Sequence, residues 1–202
     1  MASSLRERRR ALLRDEILEA THQLLAERGY AAMSMEDLAA RVGISKPTLY
    51  SQFPTKEDLV AAMALQLIGR IFAQTEGEGE LSPLQRLLRF LHASVRLQVL
   101  HRTSAMQLWM PEILAILDRH PESRAFLRQV EERLVATLKE AVAAGELAPD
   151  LDIPSAVRIY NALNISPSIG FLTLDNAPDP DRLADMVVEV FRRGLAAPRD
   201  TA

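Results

Sequence analysis

Apolar residues recur along this chain at three- and four-residue spacing, and strict apolar–polar alternation is nearly absent, so the pattern predicts helices from end to end. Leu13, Ile17, Thr21 and Leu24 mark the inner face of a first helix running from about Arg14 to Arg28 and closed by Gly29. Ser34 is placed to cap a short second helix, with Asp37 three residues on where a capping-box acid belongs. Leu38, Ala39 and Val42 give that helix one apolar face, Gly43 ends it, and Ile44 plugs the turn. Ser45 caps a third helix with Pro47 in its first turn, and Leu49 and Phe53 fall at i and i+4 and point inward together.

Thr55 opens a fourth helix whose stripe is Leu59, Met63, Leu67 and Ile71. It ends at the acidic run Glu76–Gly77–Glu78–Gly79–Glu80, expected to be a flexible break. Ser82–Pro83 begins a fifth helix reaching about His101, apolar over much of its circumference and therefore expected near the centre of a bundle. A shorter helix carries Met106, Leu108, Trp109 and Met110, is interrupted by Pro111, and continues through Ile113 to Leu117. His120–Pro121 starts a long helix that ends near Gly145. After a loop at Asp150–Pro154 another runs through Tyr160 to Asn164, with Pro167 and Gly170 expected to kink or interrupt it. Asn176–Pro180 is a turn-rich break before a last helix over Asp181–Leu195. The pattern gives an all-α chain of about nine helices with no internal repeat.

Composition narrows what such a chain does. Its 202 residues are 48% hydrophobic and 25% charged, an ordinary globular balance. With no cysteine, disulfides, thiolate catalysis and cysteine zinc sites are excluded. No apolar run approaches the roughly 18 residues a membrane span needs, and the Arg-rich start lacks the apolar core of a signal peptide, so the cytoplasm is the expected compartment. Glu19-x-x-His22 has metal-ligand spacing, but no second such motif accompanies it, and neither metal nor cofactor is expected. A formal net charge of −3 means that any affinity for nucleic acid must come from a local patch.

The segment from Ser34 to Lys56 supplies one. No acid occurs from Lys46 through Lys56, and the outward positions of the third helix are Lys46, Thr48, Ser51 and Gln52, with Tyr50 at the edge. Hydroxyls, an amide and an amine can bond base edges or phosphates, which carboxylates would repel. The pattern alone fits an ordinary helical hairpin equally well. Met1–Arg10 is expected to be a disordered arm, its Arg6, Arg8, Arg9 and Arg10 opposed only by Glu7 and suited to phosphate contact. Lys56, in a first turn that prefers acids, makes sense if a phosphate docks on that helix end.

The same stretch resembles the DNA-binding domain of the TetR family of transcriptional regulators. The resemblance runs from Arg14 through Glu27-Arg28-Gly29-Tyr30, Ser34, Leu38-Ala39, Val42-Gly43-Ile44-Ser45, Thr48-Leu49-Tyr50 and Phe53 to Lys56-Glu57-Asp58-Leu59. It covers the first third of the chain; the remainder resembles the family only in being helical. It implies a homodimeric, usually repressing DNA-binding protein released by a small ligand, with Tyr50 and Lys56 on phosphates. Met35 and Glu36 depart from the polar or basic residues common at those places.

The expected architecture is thus an arm and three-helix helix-turn-helix domain over 1–55, and a linking helix with a ligand-sensing and dimerising bundle over 56–202. DNA contacts are expected from Ser34, Ser45, Lys46, Pro47, Thr48, Tyr50, Ser51, Gln52 and Lys56, on a palindromic operator. Apolar faces with small residues such as Ala156, Ala162, Ala184 and Gly194 on the last two helices suit a symmetric dimer. Met106, Trp109, Met110, Phe126, Tyr160, Asn161 and Asn164 are candidates to line an apolar effector pocket with a few polar handles, although each fits a plain core as well. Two rivals remain. One is a DNA-organising protein without a ligand. The other is a helical enzyme or small-molecule binder with an incidental hairpin, for which the chain offers no paired acids and no nucleophile–base motif; no enzymatic activity is expected.

Overall fold

The computed structural model describes residues 4–75, 81–100, 110–164 and 179–195, and among these it holds nine helices and no strand. They are α1 (Leu5–Ala32), α2 (Met35–Val42), α3 (Lys46–Gln52), α4 (Lys56–Thr75), α5 (Pro83–Leu100), α6 (Pro111–Arg119), α7 (Pro121–Ala143), α8 (Ile153–Asn164) and α9 (Pro180–Leu195). The acidic glycine run, His101 to Trp109, and the stretch holding Pro167, Gly170 and Asn176 lie outside the described residues.

Local chemistry sets most helix ends. Ser34, Ser45 and Ser82 accept from the backbone N–H three residues on, at 3.0, 3.3 and 3.3 Å. Thr55 and Asp58 cap α4 reciprocally: Asp58 N–H donates to Thr55 Oγ1 at 3.0 Å and Thr55 N–H to Asp58 Oδ2 at 3.1 Å. The Asp37 carboxylate turns instead to Arg28, at 2.9 Å. Pro111 begins α6, where its missing N–H costs nothing; the helix expected ahead of it, over Met106 to Trp109, lies outside the described residues.

The first helix corrects the sequence reading. Residues 5–10 are not a disordered arm but the opening turns of α1, started by Ser4 and Glu7 in a full capping box. These turns bury no stripe: Leu5 and Leu12 are exposed, so apolar periodicity carries no sign of them. Capping and the helix preference of Arg, Leu and Ala hold them. At the other end Gly29, at φ 72°, breaks the helix as expected, and one further turn follows to Ala32.

Packing divides the chain into two compact units, one of residues through Ile68 with the segment that ends at Arg124, the other of Gly69 through α5 and Ala125 onward. In the first, Ile17, Leu24 and Leu25 of α1, Leu38 of α2, Leu49 of α3, Leu59 and Val60 of α4, and Ile113 and Ile116 of α6 are buried. In the second, Leu87, Leu91 and Val95 of α5 join Leu134 and Leu138 of α7, Val157 and Tyr160 of α8, and Ala184 and Phe191 of α9 in one core. Each large side chain so buried contributes roughly 1.5–3 kcal/mol. Arg96 and His92 of α5 tie to Asp181 and Asp185 of α9 along that packing. Ala156 and Ala184, read as surface small residues, are 1% and 0% exposed within this core. The large apolar side chains that face water on α8 and α9 are Ile159, Met186 and Val190, and the small residues Ala162 and Gly194 are exposed as expected.

Candidate nucleic-acid interface

The α2–α3 hairpin is built from its turn outward. Gly43 sits in the left-handed region at φ 75° and ψ 31° and donates to the Ala39 and Ala40 carbonyls, while Ile44 N–H donates to Ala39 at 3.0 Å. This closes α2 and swings the chain into α3. Leu49 and Phe53, 0% and 2% exposed, anchor α3 beneath. Ser45, Lys46, Pro47, Tyr50 and Ser51 are then exposed, with Thr48 and Gln52 half-buried.

Several of these groups are already hydrogen-bonded. Ser45 Oγ and Thr48 Oγ1 lie 2.7 Å apart, and Ser51 Oγ donates to the Thr48 carbonyl at 2.7 Å. Lys46 Nζ donates to Glu36 Oε1 on α2 at 2.9 Å, which holds the Glu36 carboxyl below its ordinary range. The amine that is the only charge on α3 is therefore paired.

Two arginines of α1 flank the far end of α3. Arg10 Nε donates to Gln52 Oε1 at 3.4 Å, and the Arg14 guanidinium lies 4.4 Å above the Phe53 ring. Arg10 thus belongs to the surface beside α3. The signal for it was the Ser4-x-x-Glu7 capping box, which extends α1 far enough back to bring this residue there. Lys56, at the start of α4, turns inward: its amine donates to the Tyr30 carbonyl and rides 4.1 Å over the Tyr30 ring. Burial lowers its pKa. The Tyr30 hydroxyl donates to Glu57 at 3.1 Å, and burial followed by this bond raises its pKa.

The effector candidates are dispersed. Met106 and Trp109 lie outside the described residues, and Met110, exposed, precedes α6 in the first unit. In the second unit Phe126 and Asn161 are half-buried, while Tyr160 and Asn164 are buried. Tyr160 donates its hydroxyl to the Leu87 carbonyl at 2.9 Å, and burial raises its pKa. Asn164 Nδ2 donates to the Tyr160 carbonyl at 3.0 Å, Gln98 Nε2 donates to the Asn164 carbonyl at 2.6 Å, and the buried Asn164 Oδ1 has no hydrogen-bond partner among the described residues. Among the described residues no group of three or more His, Asp or Glu could hold a metal ion, and no helix is long and apolar enough to cross a membrane.

Comparison with known proteins bears on the segment that holds this hairpin and on the fold. A family model described as bacterial regulatory proteins, tetR family, matches residues 17–63, which span α1 to the first turns of α4. The chain is 29% identical over 149 residues to the HTH-type transcriptional repressor KstR2 of Mycolicibacterium smegmatis, covering 72% of each protein. It is 26% identical over 190 residues to the HTH-type transcriptional regulator UidR of Escherichia coli, covering 91% of this chain and 89% of UidR. In fold it matches the transcriptional regulator FadR from Bacillus subtilis, solved in complex with stearoyl-CoA, with a TM-score of 0.69 at 19% identity over 89% of this chain and 98% of FadR. The matched segment, the curated relatives and the fold together indicate a TetR-family helix-turn-helix transcriptional regulator.

Proposed function

We propose that this protein is a homodimeric repressor that holds a palindromic operator through α3 and leaves it when a small, largely apolar ligand binds. The observation that carries the reading is the face of α3: a capped helix seated on Leu49 and Phe53, presenting Lys46, Thr48, Tyr50, Ser51 and Gln52 and no carboxylate of its own. Such a helix suits the major groove, its N-terminal residues toward base edges. Ser34, Ser45 and Pro47 shape the helix starts that approach the backbone, and Tyr50 and Lys56 contact phosphates. For Lys56 this means exchanging the Tyr30 carbonyl for a phosphate oxygen.

In this reading residues 1–55 read DNA, and 56–202 link, sense and dimerise. Exposed Ile159, Met186 and Val190 supply apolar surface on α8 and α9 for a second copy to cover. Two copies related by a twofold axis present their α3 helices to half-sites about one helical turn apart. Phe126, Tyr160, Asn161 and Asn164 of the second unit contribute to the ligand site. FadR, of the same fold, was solved with an acyl thioester, which favours a ligand with a long apolar part. Residues of α4 belong to both compact units, so a ligand that favours one setting of α4 changes the spacing of the readers. A coupling of about 1–3 kcal/mol shifts affinity roughly 5–150-fold.

The test is binding of duplex fragments by a Lys56→Ala, Tyr50→Phe double variant. It is expected to lose DNA while its circular dichroism and oligomeric state stay unchanged. Undiminished binding overturns the assigned roles.

A further inference from the structure

Glu36 is an anomaly on a surface meant for a polyanion, and its partner shows what it is suited to. It stands in the first turn of α2, 54% exposed, and its Oε1 accepts from Lys46 Nζ, 57% exposed, at 2.9 Å. Lys46 is the first residue of α3, the end of a reader helix that meets base edges. The two together present a donor and an acceptor side by side at hydrogen-bond spacing. A base pair presents the complement in the major groove. The keto oxygen of G or T and the amino nitrogen of C or A are themselves hydrogen-bonded across the pair, about 2.9–3.0 Å apart. We infer that Glu36 and Lys46 act as one specificity-determining unit that reads the orientation of a single base pair, Lys46 donating to the keto oxygen and Glu36 accepting from the amino group.

The match is one-sided. With G·C in the favoured orientation, Lys46 reaches O6 with N7 beside it, and Glu36 meets the C N4 hydrogen that the pair leaves free. With T·A, the keto and amino groups stand in the same order, but a methyl group replaces N7 beside Lys46. With C·G or A·T the order reverses, so the carboxylate meets a keto oxygen and the ammonium meets an amino group. The carboxylate is ionised near neutral pH, because the Lys46 bond holds its pKa below the ordinary range, and it can only accept. The unit therefore ranks pairs G·C, then T·A, then both reversed pairs. A loose ion pair on a helix surface has no reason to do this, being worth little by itself.

The inference rests on α3 being the DNA reader, and the experiment separates the two. DNA bound by the full-length protein is first enriched from a genomic fragment pool. Failure to enrich any sequence removes the reader assignment and this inference with it. On the enriched duplex, all four base pairs are then tested at each position against wild type, Glu36→Gln and Lys46→Met. Expected is one position per half-site where wild type discriminates orientation about 5- to 150-fold, and where Glu36→Gln flattens that preference, since an amide can donate as well as accept. The other positions keep their ranking, and melting temperatures stay within those of exposed substitutions. If Glu36→Gln raises affinity equally for every duplex and alters only the salt slope, the carboxylate is merely a repulsive charge and the inference is overturned.

Discussion

The Lys56 ammonium lies 4.1 Å from the centre of the Tyr30 ring and donates to the Tyr30 carbonyl. Residues 26 positions apart are thereby clasped where α1 ends and α4 begins. Gly29 makes the clasp possible, because its φ of 72° breaks α1 and offers the next carbonyl to the amine. A charged hydrogen bond and a cation–π contact act against the loss of hydration that lowers the Lys56 pKa. Lys56→Met is expected to cost about 1 kcal/mol in urea unfolding, with an unchanged denaturant slope. No loss of stability would show the clasp to be energetically idle.

The turn that aims α3 depends on one backbone conformation. A Cβ added at Gly43 meets nothing within 4 Å, so the cost of Gly43→Ala is purely that of holding a non-glycine residue at φ 75°. That cost is about 1–2 kcal/mol. Thermal unfolding measures it, and a neutral or stabilising result would contradict the turn geometry.

In the second unit Tyr160 fills core space, stands edge-on to Phe191 with ring centres 5.3 Å apart, and bonds the Leu87 carbonyl. Tyr160→Phe keeps the packing and loses the bond, for about 0.5–1.5 kcal/mol. Tyr160→Ala also opens a cavity, and about 3–5 kcal/mol is expected by analogy with other aromatic truncations. Equal effects of the two substitutions in chemical denaturation would mean that the ring is not packed as described.

On α9, Arg192 and Arg193 both donate to Glu189 and hold its pKa at about 2 against an ordinary 4.5. A folded value below the unfolded one gives stability that is complete above pH 4.5 and lost as the pH falls through about 2. Wild type is therefore expected to melt above Glu189→Gln near neutral pH, with the gap closing as acid is added. A gap that does not vary with pH would remove the linkage.

The helical hairpin was legible because its signals are local. Ser45, Pro47, Gly43 and the Leu49–Phe53 spacing each fix a helix start, a turn or a buried face without reference to distant residues. The first turns of α1 were not legible by periodicity, since their apolar residues face water. The inward Lys56 and the Glu36–Lys46 pair were not legible either, because both depend on how separate helices are placed, which spacing along one helix does not encode. The same limit misplaced Ala156 and Ala184: a small residue reads alike at a surface and in tight helix packing, and only the contact of α5 with α8 and α9 decides between them.

The most direct measurement is to sequence the genomic fragments retained by the purified protein at moderate salt. Enrichment of an inverted repeat whose half-sites lie about 10 base pairs apart, or a multiple of that, centre to centre, is the expected result. Retention of fragments without a shared sequence, with affinity that falls with salt alike for every duplex, would contradict a twofold operator-binding repressor.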